Sequence, residues 1–492
     1  MVNVIIDCYT DEPSGLGVPP YIGTYPRYIF GKLKFEEKKD PYYLTIDDLR
    51  YVFKYNSKLK DRKKTQKTNI SIYNLTINSD NVLKILSKAT KIIVILGMHV
   101  PGKYLSAVPG TINEVSSYIK NFNAQKILTG PAATEYGSGE INSKKKEKES
   151  LLVFDEIVSN YVLDYSKINK FALFSADLLK QIPSQRIVEI ETGRGCNRGK
   201  EGCSFCSEPL KHDVEYRNQK DIYNEIKLLT NYTKYFRLGK QSCFYSYKDG
   251  KASEILKLLK PISKLNPKVL HIDNANPKMV DEIKTKLIVK YTTPGNVCAF
   301  GAESFDKLVQ KKNNLNSDNE TTYNAIKIIN KIGGKRSYNG MHHLLPGINL
   351  LFGLSGETKN TFNENYNFLK KILDEKLLIR RINIRKVTIL PNTKMHTEDR
   401  GKTLKKNWKY YWKWRDKIRK EIDHEFLKLL VPKNQIIRDV YAEIYDGNNT
   451  FCRQIATYPL IIGVKKRLEL NKFYNIKITS HMLRSITGEV VD

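Results

Sequence analysis

The sequence predicts an α/β protein in three parts: a Rossmann-like N-terminal domain, a partial barrel of six β/α units, and a small basic C-terminal domain. Three observations carry this. Two apolar runs of strand length, Lys91 to Leu96 and Lys126 to Leu128, flank a helical stretch and end in glycine-bearing loops. From Arg186 to about Lys394, apolar strands alternate with helical segments at the spacing of a barrel of parallel strands. Beyond Asp399 the composition turns basic and tryptophan-rich. The boundaries read as 1–142, a connector over 143–185, the barrel over 186–398, and the C-terminal domain over 399–492.

A chain of 492 residues has the length of about three domains. Its seven cysteines, three of them in one loop, suit a reducing cytoplasm better than a disulfide framework. No stretch reaches the ~18 apolar residues of a membrane span, and the N-terminus lacks a signal-peptide pattern, so no membrane role is expected. The net charge of +31 favours nucleic acid or another polyanion as partner. Lysines spread over solvated faces would give the same total.

In chain order, Val2 to Cys8 reads as the first strand, with Asp11 to Gly17 as the loop after it. Lys91 to Leu96 is followed by Gly97-Met98-His99-Val100-Pro101-Gly102, a helix over Ile112 to Asn121, then Lys126 to Leu128. Ser143 to Ser150, with Lys144, Lys145, Lys146 and Lys148, is a charged connector, and the segment up to Gln185 reads as helical. The barrel strands are Ile187 to Glu191, Tyr235 to Leu238, Val269 to Ile272, Val297 to Gly301, Asn349 to Gly353 and Ile384 to Leu390. Helices such as Asp221 to Thr230 and Ser253 to Leu259 lie between them. In such barrels chemistry sits at the C-terminal ends of the strands.

The loop after the first barrel strand, Glu191 to Cys206, organises the rest. Cys196, Cys203 and Cys206 are separated by six and then two residues. Three thiolates on one short loop can hold three corners of a four-iron cluster and leave the fourth iron open. Gly195, Gly199 and Gly202 let the loop take backbone angles other residues resist. A zinc knuckle or buried structural thiols are the alternatives. Zinc usually takes four ligands, and this loop offers three with no partner pair nearby.

This loop resembles that of the radical S-adenosylmethionine (SAM) superfamily, in which three and two residues usually separate the cysteines and an aromatic, here Phe205, precedes the last. The longer first gap departs from that pattern. ETGRGC and CSFC followed by Ser207-Glu208-Pro209 are similar to an archaeal branch whose C-terminal region is likened to helix-hairpin-helix. The resemblance implies a [4Fe–4S] cluster on the three cysteines and SAM on the open iron. It also implies reductive cleavage to a 5′-deoxyadenosyl radical, with an electron donor such as ferredoxin.

The resemblance also implies SAM contacts. Gly239 and Gln241 stand where the superfamily has Gly-Gly-Glu, with glutamine in place of the acid. Glu303 and Ser304 resemble its Gly-x-Glu-Ser loop, where a carboxylate suits hydroxyl and ammonium donors. Gly353 to Thr358 resembles Gly-Leu-Pro-Gly-Glu-Thr, with Gly353 and Gly356 bordering the adenosyl group. Leu390, with Pro391-Asn392-Thr393, resembles the ending that borders the adenine. Relatives with cobalamin-binding N-terminal domains share the N-terminal layout, but Gly97-x-His99-x-x-Gly102 lacks the Asp of their signature and follows a later strand. Cobalamin is therefore not expected. Cys8 stands alone in this half, which argues against the extra cluster of methylthiotransferases.

Lys402 to Lys420 carries nine Lys or Arg and one acid, with Trp408, Trp412 and Trp414 inside it. Trp408, Tyr411, Trp412 and Arg415 share a helical face by spacing. Such a stripe either stacks bases or packs a helix onto its own domain. Asn448 to Tyr458 and Pro459 to Val464 suggest a short β element, and Gly463 lacks the partner glycine of a helix-hairpin-helix. Expected substrates are RNA or, as the alternative, a small metabolite or cofactor. A non-catalytic iron–sulfur nucleic-acid binder is the competing class. The sequence sets no oligomeric state.

Overall fold

The computed structural model describes residues 2–9, 21–58, 74–97, 108–133, 149–159, 161, 164–183 and 187–491. The loop 11–17, His99, Gly102 and most of the 143–150 connector lie outside the described residues. The chain divides into two compact units, Met1–Glu189 with Asn224–Thr233, and Ile190–Tyr223 with Lys234–Asp492.

The first unit holds a five-stranded parallel sheet. Its strands are β1 (Asn3–Asp7), β3 (Tyr42–Thr45), β4 (Lys91–Ile95), β5 (Gln125–Thr129) and β6 (Glu156–Val158), ordered β3-β1-β4-β5-β6. Val4, Ile5 and Ile6 in β1 and Ile92 to Ile95 in β4 are all buried, as continuous apolar runs must be in a parallel sheet covered on both faces. The helix Ile112–Ile119 starts at Thr111, whose hydroxyl accepts from Glu114 N at 3.3 Å. These elements match the sequence reading to within two residues. The segment before Gln185 does not, because it contains β6 ahead of the helix Tyr165–Ala172. Three exposed or half-exposed edge residues are too few to carry a strand periodicity. A further strand, β2 (Tyr21–Ile22), precedes the helix Thr24–Glu37, from which Arg27 reaches Glu225 at 2.5 Å, both fully buried.

Six strands follow in the order expected for the partial barrel: β7 (Ile187–Glu191), β10 (Tyr235–Gly239), β11 (Val269–Ile272), β13 (Asn296–Glu303), β14 (Leu344–Phe352) and β15 (Arg381–Lys386). The short pairs β8 (Gly193–Arg194) and β9 (Glu215–Tyr216) lie between β7 and β10, and β12 (Asn274–Ala275) follows β11. One sheet runs β11-β10-β7-β2 and the other, wholly parallel, β12-β13-β14-β15. Ala299 N donates to Asp273 O (3.3 Å) where they meet.

Two barrel strands depart from the sequence reading. The fifth begins at Leu344 instead of Asn349. Pro346 reads as a break, but in β14 it needs only its carbonyl, which accepts from Arg380 N at 2.8 Å. The sixth is Arg381–Lys386 instead of Ile384 to Leu390, paired from Gly347↔Arg381 to Phe352↔Lys386. Beyond Lys386 the partner strand has turned away at Gly353, so Val387 and Ile389 pack in the apolar cluster of the loops instead, and Leu390 is buried.

The helix Lys402–Ile418 continues through a π turn, Arg419–Asp423, into His424–Leu430. The last five strands, β16 (Ile436–Asp446), β17 (Asn449–Gln454), β18 (Ile461–Val464), β19 (Phe473–His481) and β20 (Ile486–Val491), form a closed barrel in the order β16-β17-β18-β20-β19. Among the described residues from 434 on there is no helix, so this region is not helix-hairpin-helix. Among the described residues no helix is long and apolar enough to cross a membrane.

The tryptophan helix leaves Trp408 and Trp412 of the sequence stripe exposed and packs through a neighbouring face. Asn407, Tyr411, Trp414 and Ile418 are buried, while Trp408 is 46% and Trp412 52% exposed. Trp414 Nε1 donates to Phe362 O at 3.0 Å, and its ring lies against Phe352 and Phe362. Trp414→Ala should therefore cost about 3–5 kcal/mol, against less than about 1 kcal/mol for Trp412→Ala, in urea unfolding of the full chain. Equal losses would contradict this packing.

Candidate active site

The cysteine loop is tied at its base and along its length. β8 and β9 pair antiparallel, and Arg194 meets Glu215 at 2.5 Å. Gly195 takes φ 79°, and a Cβ there would lie 2.4 Å from Asp213 O, so no side chain fits. Its N–H donates to Glu208 (3.0 Å), the residue two beyond Cys206. Asn313, fully buried, joins this loop to the one after β14. Its Oδ1 accepts from Ser204 Oγ (2.8 Å) and Ser355 N (3.2 Å), and its Nδ2 donates to Ser355 O (2.8 Å). Met395 N donates to Ser204 O (2.8 Å), which brings in the segment after β15. Arg198 reaches Asn314 O at 2.6 Å and Cys203 Sγ at 3.3 Å.

The three cysteines are part-buried and unpaired by disulfides. Burial pushes the Cys203 thiol up to about 12 and Cys206 up to about 11, so thiolates here call for positive charge from a bound group. Among the described residues, no three His, Cys, Asp or Glu side chains converge on a single ion position.

The expected SAM-contact residues take three kinds of position. Glu303, at φ 61° on the end of β13, folds over Gly301, and its buried Oε2 makes no hydrogen bond. Lost hydration raises its pKa to about 8 against the pull of Arg385, and its charge is felt at Cys203. Gly239 O accepts from Thr192 N (3.2 Å), while Gln241 is held by the Thr192 hydroxyl and directs Nε2 at Leu238 O (3.4 Å). Ser304 is turned inward, its carbonyl accepting from Gln310 (2.9 Å). Gly353 (φ 93°) is glycine because a Cβ would lie 2.6 Å from Leu404 Cδ1, and Gly356 (φ 84°) lies against Lys312. Leu390 is buried, its carbonyl accepting from the Thr393 hydroxyl at 2.7 Å.

A charged barrel interior was missed from the sequence. Arg237 and Asp273, both buried, face each other at 3.6 Å. His271 meets Thr457 at 3.1 Å, and burial pushes its pKa down to about 3. Tyr458, from the β17–β18 loop, packs on Val297 and Ala299 with Arg381 over its ring at 4.2 Å. The available signal was the alternation Arg381, Asn383, Arg385 in a strand that has to be covered.

Residues 190–369 match the radical SAM superfamily. An uncharacterized protein of Methanocaldococcus jannaschii is 41% identical over 99% of this chain and 93% of its own length. This chain belongs to the radical SAM superfamily. An Archaeoglobus fulgidus protein is 36% identical over 100% of the chain and 90% of its own. The ribosomal protein uS12 methylthiotransferase RimO of Clostridium novyi is 24% identical over 78% of the chain and 86% of its own. Among solved structures, the radical SAM methyltransferase TsrM of Kitasatospora setae gives a TM-score of 0.47 at 13% identity, covering 80% of this chain and 75% of that one. The cobalamin-dependent SAM radical enzyme OxsB gives 0.45 at 10%, covering 83% and 56%.

As a radical SAM enzyme the chain takes a [4Fe–4S] cluster and SAM, and its residues fit them. Cys196, Cys203 and Cys206 would hold the cluster, and the Glu303 carboxylate, with an Oε2 lacking any donor, would meet the hydroxyl or ammonium groups of SAM.

Glu357 supports the same loops from below. Its carboxylate accepts from Gly353 N (2.6 Å) and Leu354 N (3.2 Å), yet burial still raises its pKa to about 8. An acid raised in the folded state holds its proton there more tightly than in the unfolded chain. It therefore costs stability as pH rises from about 4.5 to about 8. Glu357→Gln keeps the acceptor and should shrink the stability loss between about pH 5 and pH 8 by roughly 1–3 kcal/mol in urea unfolding. An unchanged pH slope would show that Glu357 is ionised without cost.

Proposed function

We propose that this radical SAM enzyme modifies RNA. The observation that carries the reading is the pair of exposed indoles, Trp408 and Trp412, on a helix whose outer face bears Lys405, Lys406, Lys409 and Lys413. Lys386, at the C-terminal end of β15, sits 3.6 Å above the Trp408 ring and 5.8 Å from Trp412. Exposed aromatics interleaved with cations suit stacked bases and phosphates, and this stripe begins beside the strand ends where the cysteine loop lies.

When bound, the cluster and SAM supply one-electron cleavage of SAM and a radical able to take hydrogen from carbon. The protein's part is positional. Asn313 and Arg198 hold the cysteine loop, Glu303 offers its carboxylate to SAM, and Tyr458 fills the interior between Val297 and Ala299. An electron donor of the ferredoxin class completes the proposal. Asp7 at the end of β1 accepts from Tyr9 N and the Tyr43 hydroxyl, both at 2.8 Å, and the RNA proposal assigns no role to cobalamin. RimO is a methylthiotransferase, but Cys8 is the one cysteine before residue 196, so methylthio transfer is left out too.

A second reading, a small acidic metabolite, draws on Arg237, Arg381 and Arg385 in the barrel interior. RNA from a deletion strain, digested and compared with wild type by mass spectrometry, should lack one modified nucleoside. Replacing Lys405, Lys406, Lys409 and Lys413 with Gln should weaken RNA retention and make its log–log salt dependence shallower by roughly 3, with uncoupled SAM cleavage unchanged. An unaltered nucleoside profile together with salt-independent retention would favour the metabolite.

A further inference from the structure

The C-terminal barrel has a topology whose use is specific enough to argue from. Numbered within the barrel, its strands run 1-2-3-5-4. Strand 1 is antiparallel to strands 2 and 4, strand 2 is antiparallel to strand 3, and the β18–β20 pair alone is parallel. This is the strand order of the OB-fold, whose second and third strands, with the loops joining strands 1–2 and 4–5, bind oligonucleotides.

Topology alone does not make a site, but the side chains here agree with it. On the outer face, Phe451 of β17, Gly463 of β18 and Thr487 of β20 stand in one cross-strand row. Phe451 is part-exposed, and the neighbouring glycine puts no side chain beside its ring, whose Cε1 is 3.6 Å from where a Cβ would be. At one end of the face, Lys465, Lys466 and Arg467 are exposed. At the other end the β19–β20 loop presents Met482 (56% exposed), Leu483 (44%) and Arg484. Arg484 makes no ion pair among the described residues. Loss of hydration and the like charges of Arg419, Arg381 and Arg415, opposed by Asp423, lower its pKa to about 10 while leaving it cationic. Arg415 in turn lies over the Trp412 ring at 5.1 Å. A cluster of cations beside exposed aromatics suits a polyanion.

We propose that the C-terminal barrel binds single-stranded RNA across the β17–β18–β20 face, from the Lys465–Arg467 turn past Phe451 to Arg484, and passes it to Trp412 and Trp408. This rests on the RNA reading above and adds the strandedness of the substrate and a second contact surface remote from the cysteine loop. The face commits to RNA by charge: cations mark both ends and an aromatic lies between them.

The test uses full-length reconstituted protein and fluorescence anisotropy with a labelled single-stranded oligouridylate of about twelve nucleotides, beside a duplex of equal length. The single strand should bind at least tenfold more tightly than the duplex. The triple variant Lys465→Gln, Lys466→Gln, Arg484→Gln, all at exposed positions, should weaken binding about tenfold and reduce the salt slope by about 2. Phe451→Leu, which keeps an apolar side chain, should weaken it severalfold without changing the salt slope. SAM cleavage should be unchanged in both. If neither variant loses affinity while the Lys405/Lys406/Lys409/Lys413 variant does, the barrel proposal is overturned and the RNA reading stands. If the wild-type chain retains no single-stranded RNA at low salt, both fall.

Discussion

One buried carboxamide holds the site together. Asn313 bonds Ser204, between Cys203 and Cys206, and both N–H and C=O of Ser355, in the loop after β14. Segments 109 residues before and 42 residues after Asn313 thus share its side chain, with Met395 N adding a further segment through Ser204 O. A cysteine loop rich in glycine has little rigidity of its own, so the spacing of its thiols depends on this clamp and on Arg198. Beneath it, Val309, Leu315, Leu354, Val387 and Met395 form a small apolar core against which Cys203 and Phe205 pack. The aromatic before the last cysteine therefore acts as an anchor.

Above this base the chain spends charge where folding alone would avoid it. Glu303 keeps a carboxylate oxygen buried without a donor, and Arg237 and Asp273 sit opposed at 3.6 Å inside the barrel. A buried carboxylate oxygen like that of Glu303 is costly unless something satisfies it, which is how binding sites are commonly built. The interior is closed from one side by the β17–β18 loop, where Thr457 meets His271 and Tyr458 packs against β13. The C-terminal barrel is thus wedded to the radical SAM barrel by a structural plug as well as by the long helix.

Much of this was legible in the sequence because the informative residues are strongly patterned. The cysteine loop and the first four barrel strands stand where apolar runs and glycines placed them. The fifth and sixth strands were misplaced because strand ends follow partner availability: Pro346 is tolerated by its neighbour, and Val387 to Leu390 are apolar without a strand to pair with. The glycines after β14 are expected to border the adenosyl group, and Gly353 has in addition Leu404 packed where a Cβ would stand. The sequence left the role of the Trp408–Trp412 stripe open, because Trp412 and Trp414 both lie on plausible helical stripes and only the position of Phe352 and Phe362 decides which is buried. Asn313 gave no signal at all, since an asparagine after a helix is ordinary until its partners are known. The C-terminal barrel was half seen, as a β element, because parallel closure between β18 and β20 is a long-range event that no local pattern encodes.

The central claim is that Cys196, Cys203 and Cys206 hold a cluster that cleaves SAM. Anaerobic reconstitution of the full chain, iron analysis, and chromatography for 5′-deoxyadenosine after addition of SAM and dithionite test it together. The account predicts about four iron atoms per chain and dithionite-dependent 5′-deoxyadenosine in the wild type, with both lost when the three cysteines are replaced by alanine. Stoichiometric zinc in place of iron, or a full iron complement that yields no 5′-deoxyadenosine, would contradict it.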